Sequence, residues 1–381
     1  MQKQFFNTLF FVILLAITSC QKPQEEGLQI DEEIAIDFTK FTKEDSISIS
    51  EIFTKASYLH LKLPAEFQLF HADKIYKSED YIIIVDVELS NTITVFDPSG
   101  SFKYQLESGE GPETIFEFGD VAFDEENNSL FILASNVNAV QKIDLPSLNT
   151  STISFADDFY VHMIEFQSPQ YLWLYRSYEK YSDDEFALSQ YHLETGEVVS
   201  EYFKKPEDLK ISFLSEKPLT RFQNSIYFGP SYSNHVMVFN RDATKKISFV
   251  NIKNTSNFFG LSDITDFRNI MKKGNLYAYQ DPFIETNSHY LFYLSRGSQL
   301  FTAAFNKNSG AGSYTSVLYD DYLELPFLPY VSTSSEALLF LFHDEIIENF
   351  GPSADASERI LELFPEINKY DQKLILGIYE N

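Results

Sequence analysis

From Tyr58 onward, short apolar runs alternate with clusters of Asn, Asp, Gly, Ser and Pro. YIIIVD at 81–86, TITVFD at 92–97 and the run at 102–106 are three of them, with Pro98-Ser99-Gly100 between the last two. Runs of Ile, Val, Phe and Tyr bounded by turn residues predict strands. Consecutive strands joined by tight turns predict an antiparallel meander. The pattern then recurs: a second unit covers 121–155, a third 162–203, a fourth 219–250, a fifth 277–319, and a sixth starts at 327–331 and 337–342. The third strand of a unit tends to end in one phrase, as in VFDPSG, KIDLPS, QYHLETG and VFNRDA.

A period of about 40 residues with four strands per unit predicts a β-propeller. Counting 71–106 as the first, six units predict six blades of four antiparallel strands, an all-β fold. The last blade is interrupted by 344–364, which has helical spacing, and resumes at 374–379. It then lacks one strand, and YLHLKL at 58–63 is expected to supply it and close the ring, removing open edges. Residues 254–273 read as an inserted loop and short helix. A sandwich gives no reason for the repeat, and runs of five or six residues are short for a membrane barrel.

The N-terminus reads as an address. Lys3 precedes an unbroken apolar run at 9–17, followed by Thr18, Ser19 and Cys20. Nine apolar residues are too few to cross about 30 Å of hydrocarbon, so the run reads as a secretory signal over 1–19. Ile17-Thr18-Ser19-Cys20 resembles a bacterial lipobox, and the chain's single Cys stands where acylation needs it. Acyl chains on Cys20 would anchor the protein to a membrane. Residues 20–50 are expected to be an acidic flexible tether, and 51–381 the propeller. Gln21 in place of Asp, with Glu25-Glu26 beyond it, points to the outer membrane, facing the surface or the periplasm.

The stretch at 82–124 carries a family resemblance. Asp86, Phe96, Asp97, Gly100, Phe102, Gly109, Gly111, Pro112, Phe123 and Asp124 match a pattern of strand-Asp, FD-x-x-G-x-F, a Gly-rich turn and F-x-x-D. The chain thereby resembles the six-bladed β-propeller lipoproteins of the Bacteroides group and is similar to NHL/TolB-like propellers. Glu113-Thr114-Ile115 replaces the family's Gly-Glu-Tyr. The resemblance implies a fold and a location; it brings no shared catalytic residues.

The 381 residues include 29 Lys and Arg against 56 Asp and Glu, a formal net charge of −27. Such a surplus repels phosphate backbones, so no nucleic-acid partner is expected. One Cys makes neither an internal disulfide nor a cysteine zinc site. The 37 Phe and 23 Tyr are expected to fill wedges between blades. GxSxG, HExxH and EF-hand patterns are missing. The seven His do not pair at i, i+2 or i+4, so neither a metal nor a cofactor is predicted. The Asp183-Asp184-Glu185 and Asp320-Asp321 clusters read as solvated loops, with Ca²⁺ as the alternative.

Propeller geometry directs attention to the face carrying the loops after the second strands. Asp86, Ser135, Arg176, Ser231, Arg296 and His343 occupy those positions and are the candidate channel-mouth residues, with Tyr178 and Tyr181 nearby to stack on a sugar or peptide. Arg176 and Arg296 suit carboxylates or sugar hydroxyls. The expected function is a non-catalytic, lipid-anchored module binding a peptide, glycan or partner protein. The alternatives are a propeller hydrolase or lyase on a polymer, with Asp86 and His343 as acid/base candidates, and an assembly component of an envelope complex.

Overall fold

The structure, a computed structural model, describes residues 28–109, 117–134, 138–155, 160–176, 186–204, 215–240, 244–250, 277–327, 332–333, 337–344, 346–347, 354–367 and 372–380. Cys20, the tip of the Gly-rich turn at 110–116, Ser135, Tyr178, Tyr181, the acids at 183–185 and the 254–273 insertion lie outside these residues. Among the described residues, no helix is long and apolar enough to cross a membrane.

Four strands precede the repeats: β1 (Glu32–Asp37), β2 (Phe41–Lys43), β3 (Ile47–Ser48) and β4 (Lys55–His60). The first blade holds β5 (Lys74–Lys77), β6 (Ile82–Asp86), β7 (Thr92–Phe96) and β8 (Phe102–Glu107). The second holds β9 (Phe118–Asp124), β10 (Ser129–Ala134), β11 (Ala139–Asp144) and β12 (Asn149–Ser154). The third holds β13 (Met163–Gln167), β14 (Tyr171–Tyr175), β15 (Phe186–His192) and β16 (Glu197–Lys204). In the fourth, β17 (Leu219–Phe222), β18 (Ser225–Phe228), β19 (His235–Phe239) and β20 (Thr244–Val250) are extended by β1. In the fifth, β21 (Ala278–Glu285), β22 (His289–Arg296), β23 (Gln299–Asn306) and β24 (Gly312–Thr315) are extended by β2. The sixth is small: β25 (Leu318–Asp320) and β26 (Leu325–Phe327) with β3. The seventh joins β27 (Ser332–Thr333), β28 (Leu338–Phe342), β29 (Ile375–Glu380) and β4.

The fold is thus an all-β propeller, with a corrected blade count: seven blades of three to five strands, not six of four. The blade missed in the sequence is the sixth. Its strands are two or three residues long, and one comes from the N-terminus, so no local period announces it. The expected tether over 20–50 is also corrected. From Glu32 the segment is folded, and β1, β2 and β3 add in parallel to the edges of β20, β24 and β25.

Burial explains the pattern that made the other blades legible. β6 (IIIVD) and β10 (SLFILA) are buried throughout, because both faces of these strands lie between neighbouring blades. β12 (NTSTIS) lies at an outer edge and is almost wholly exposed. Apolar side chains interdigitate in the wedges, as Ile83 and Val95 do with Val121 and Leu130. Aromatic rings fill several wedges: Phe131 stacks on Phe166 at 5.4 Å, Phe249 on Tyr279 at 5.0 Å, and Trp173 meets Phe239 at 4.6 Å.

The ring closes where it was expected to close, with a shift along the chain. β4 pairs antiparallel with β29, Tyr58 opposite Gly377 and His60 opposite Ile375. The seventh blade then packs on the first through Leu339, Leu341 and Leu376 against Ile82, Ile84 and Phe96. Of the 344–364 stretch, α1 (Ala354–Leu363) is helical, and Ile360 is buried in the cluster shared by blades five, six and seven.

Candidate functional site

Within each blade the strands that follow one another in the chain alternate in direction. The starts of the first strands and the ends of the second strands therefore share one face of the ring. First strands lie innermost, and the neighbouring blades β9 and β13, β13 and β17, and β17 and β21 touch there. A small pocket, half open to solvent and enclosing only about 30 Å³, lies among these strands, lined by Lys74 and Tyr76 of β5, Met163 and Glu165 of β13, Leu219 to Arg221 of β17, and Asp73, Lys217 and Pro282.

Its charges are held in pairs across blades. Lys74 Nζ lies 2.8 Å from Asp120 Oδ1, and it donates to the carbonyls of Val121 at 2.9 Å and Ile164 at 3.2 Å. Asp120 in turn accepts from the Ile164 amide at 2.8 Å. Arg221 reaches Glu125 at 2.6 Å and Glu165 at 4.0 Å, and it donates to the carbonyls of Phe123 and Phe166 at 3.1 and 3.2 Å. Lys217 Nζ donates to the Asp73 carbonyl at 3.1 Å. Its backbone amide donates to Asp281, whose carboxylate also takes the Ser231 hydroxyl.

Burial perturbs three of these groups. It pushes the Glu165 carboxyl upward, against the pull of Lys74 and Arg221. It pushes Asp281 upward too, opposed by the Ser231 hydroxyl. It draws the Lys217 ammonium downward, opposed mainly by Asp73. Desolvation disfavours whichever form carries charge. The site is therefore a polar, largely charge-compensated mouth with two acids, Glu165 and the adjoining Asp281, and one base, Lys217, shifted toward neutrality.

The structure distributes the sequence-predicted residues unevenly. Asp86 is fully buried under the rim: Oδ2 accepts from His71 N at 3.1 Å, and Oδ1 from Leu89 N at 3.0 Å and Ser90 N at 3.2 Å. Ser231 also sits beside the cavity, through Asp281. Arg176 stays within blade three, bonded to Glu201 at 2.9 Å and Ser189 at 3.4 Å. Arg296 stacks on Tyr277 at 5.4 Å, in an aromatic group with Phe38, Phe301 and Tyr314. His343 is half-buried, and its carbonyl accepts from Ile347 N at 3.0 Å. None of Arg176, Arg296 and His343 lines the cavity. Asp320 is not in a solvated loop; it is buried and accepts from Tyr58, Tyr379 and two backbone amides.

Sequence reasoning missed Lys74, Asp120, Glu165, Arg221 and Asp281. Each is a charged residue set into the first strand of its blade, and that recurrence was the available signal. Among the described residues, the metal-type donors that converge are His71, Asp73 and Glu88, at the same rim.

The sequence matches, over residues 33–378, a family described as a domain of unknown function, DUF4934. The chain belongs to this family. No curated protein matches the sequence significantly. Among solved structures, the chain is similar to a "Putative exported protein" of Bacteroides fragilis, with a TM-score of 0.66 and 14% identity over 92% of this chain and 99% of that one. It is more distantly similar to a streptogramin B lyase (TM-score 0.40, 12% identity, 75% and 81% covered) and to the virginiamycin B lyase of Staphylococcus aureus (0.40, 11%, 69% and 74%). The Bacteroides likeness extends over the whole propeller. At this identity it speaks for the fold.

Proposed function

We propose that this DUF4934 member is an exported binding module of the cell envelope that holds a peptide, glycan or partner protein, without chemistry, at the mouth of its central cavity. The observation that carries the reading is the pocket itself: polar groups from blades one, three and four meet there beside Pro282 of blade five, among the inner strands. Asp86 and Ser231 serve that mouth as buried supports. The lipobox at Ile17–Cys20 supports lipid anchoring, and Gln21 with Glu25-Glu26 supports the outer membrane.

A second reading has one observation in its favour. Glu165 and Lys217 are shifted toward neutrality in one cavity, the condition of a general acid and base. A lyase or hydrolase working through them is the alternative. Glycan and peptide arrays probed with purified protein separate the two. Binding is expected to saturate, to vanish in Lys217→Met, and to survive in Lys103→Met on the outer strand β8. Turnover of any bound compound, lost in Glu165→Gln, would overturn the binding reading.

A further inference from the structure

We infer that His71, Asp73 and Glu88 form a site for one divalent transition-metal ion, with Zn²⁺ the best match, at the rim of the central cavity. The site stands independently of what the cavity binds. One ligand atom from each residue, the His ring nitrogen and two carboxylate oxygens, lies within 4.8 Å of the others. His71 Nε2 is 3.5 Å from Asp73 Oδ1. The three come from two chain segments: the approach to β5 and the turn after β6.

The scaffold around these atoms fixes both segments. Asp73 Oδ2 accepts from Val87 N at 2.8 Å and Glu88 N at 3.0 Å, which ties the Glu88 turn to the Asp73 segment. Asp86, fully buried, repeats the tie from the other side, through His71 N and the amides of Leu89 and Ser90. The Asp73 amide bonds the Val85 carbonyl at 2.8 Å. Asp73 thus spends one oxygen on the backbone and turns the other toward His71. Groups that orient a ligand in this way raise the affinity of metal sites. Glu88 is exposed and Asp73 half-buried, so the approach from solvent is open.

The donor set selects the ion. An imidazole nitrogen suits Zn²⁺ and its neighbours better than Ca²⁺ or Mg²⁺, which prefer oxygen cages. Two carboxylates offset the charge of a divalent ion, and three protein ligands leave a position for water or for a group of the bound ligand. The net charge of −27 raises the local concentration of cations. Lys217 opposes the ion: its ammonium bonds the Asp73 carbonyl.

The test uses purified full-length protein, stripped with chelator and titrated with ZnCl₂, with CaCl₂ and MgCl₂ in parallel. Metal content after dialysis and the shift in melting temperature are read out. The expected result is about one retained Zn²⁺ per chain and a Zn²⁺-dependent rise in melting temperature. His71→Ala and Glu88→Gln should each weaken Zn²⁺ binding at least about tenfold, and Lys217→Met should tighten it. Glu88 is exposed, so its variant remains informative if His71→Ala folds poorly. The proposal is overturned by no saturable binding below about 1 mM free Zn²⁺, by stoichiometric Zn²⁺ that neither variant reduces, or by Ca²⁺ binding more tightly than Zn²⁺.

Discussion

Asp320→Ala should be among the most damaging single changes to this propeller, and Asp320→Asn one of the mildest at a buried charge. Asp320 ends β25 in the small sixth blade and has no exposed surface. Its carboxylate accepts from Tyr58 OH of the closing strand at 2.8 and 2.9 Å, from Tyr379 OH of β29 at 2.5 Å, and from the amides of Tyr322 and Leu323 at 2.9 Å each. One residue therefore ties the sixth blade to the β4–β29 closure. Alanine orphans four donors. A buried donor left unsatisfied costs about 1–3 kcal/mol, less where water can enter. The Tyr379 hydroxyl and Leu323 amide are buried and the other two half-buried, so the loss should be about 3–5 kcal/mol. Asparagine keeps an oxygen for the two amides, and its NH₂ can donate to tyrosine oxygens whose hydroxyls rotate. It also removes a buried charge, so its cost should stay within about 1 kcal/mol. Tyr379→Phe, which deletes one bond to a charged acceptor, should lie between them at about 1.5–3 kcal/mol. Urea unfolding of the purified variants, followed by tryptophan fluorescence and far-UV dichroism, gives the three values. Equal damage from Asn and Ala would refute the reasoning, because the charge and not the set of acceptors would then hold the closure.

The Glu165 carboxyl is raised in the folded state above its ordinary value near 4.5, so the folded chain holds that proton more tightly than the unfolded chain. Between the two values stability falls as pH rises, and Glu165→Gln should gain on the wild type in urea midpoints from pH 4 to pH 7; a difference that does not change with pH counts against a desolvated carboxyl. Taking the difference removes the opposite effect of His235 and His289, which burial shifts downward. Gly100→Ala should cost about 2–4 kcal/mol in the same assay. Its φ is +79°, and a Cβ there would clash with the His60 carbonyl at the end of the closing strand; a cost under 1 kcal/mol would mean that this turn yields.

What could be read from the sequence was what burial writes into side chains. β6 and β10 lie between blades, so all positions but one in each, Asp86 and Ser129, are apolar and the strands stand out. The turn DPSG was legible because Asp97 accepts from the Ser99 and Ser101 amides, and only a residue tolerant of positive φ completes it. The N-terminal strands were not legible. β1 (EEIAID) and β2 (FTK) attach to blade edges through backbone bonds, which put little period into the side chains. The closing strand was found but placed late: alternation persists through Leu61 and Leu63, while pairing with β29 covers Lys55 to His60. For the candidate site, the pocket and the residues singled out from the sequence draw on different strands. Second-strand ends such as Arg176 and Arg296 turn into their own blades; the axis belongs to charged residues of the first strands.

On the binding reading, the bonding of the inner-strand charges bears on where a ligand would be recognised. An ammonium has three donors, and those of Lys74 are taken by Asp120, the Val121 carbonyl and the Ile164 carbonyl, which joins blades one, two and three. Arg221 of blade four is likewise committed to Glu125 and Phe123 of blade two and Phe166 of blade three. A ligand reaching either side chain would first have to break bonds that keep the inner strands together. The deep charges are therefore staples, and removing one leaves buried carboxylates without their cation, a loss of about 3–5 kcal/mol that registers as unfolding. On the binding reading proposed above, selectivity would then fall to the rim, where His71, Asp73, Glu88 and Lys217 lie outside the inner strands. Members of one family that share the staples and differ at these residues could thus bind different ligands on a constant scaffold.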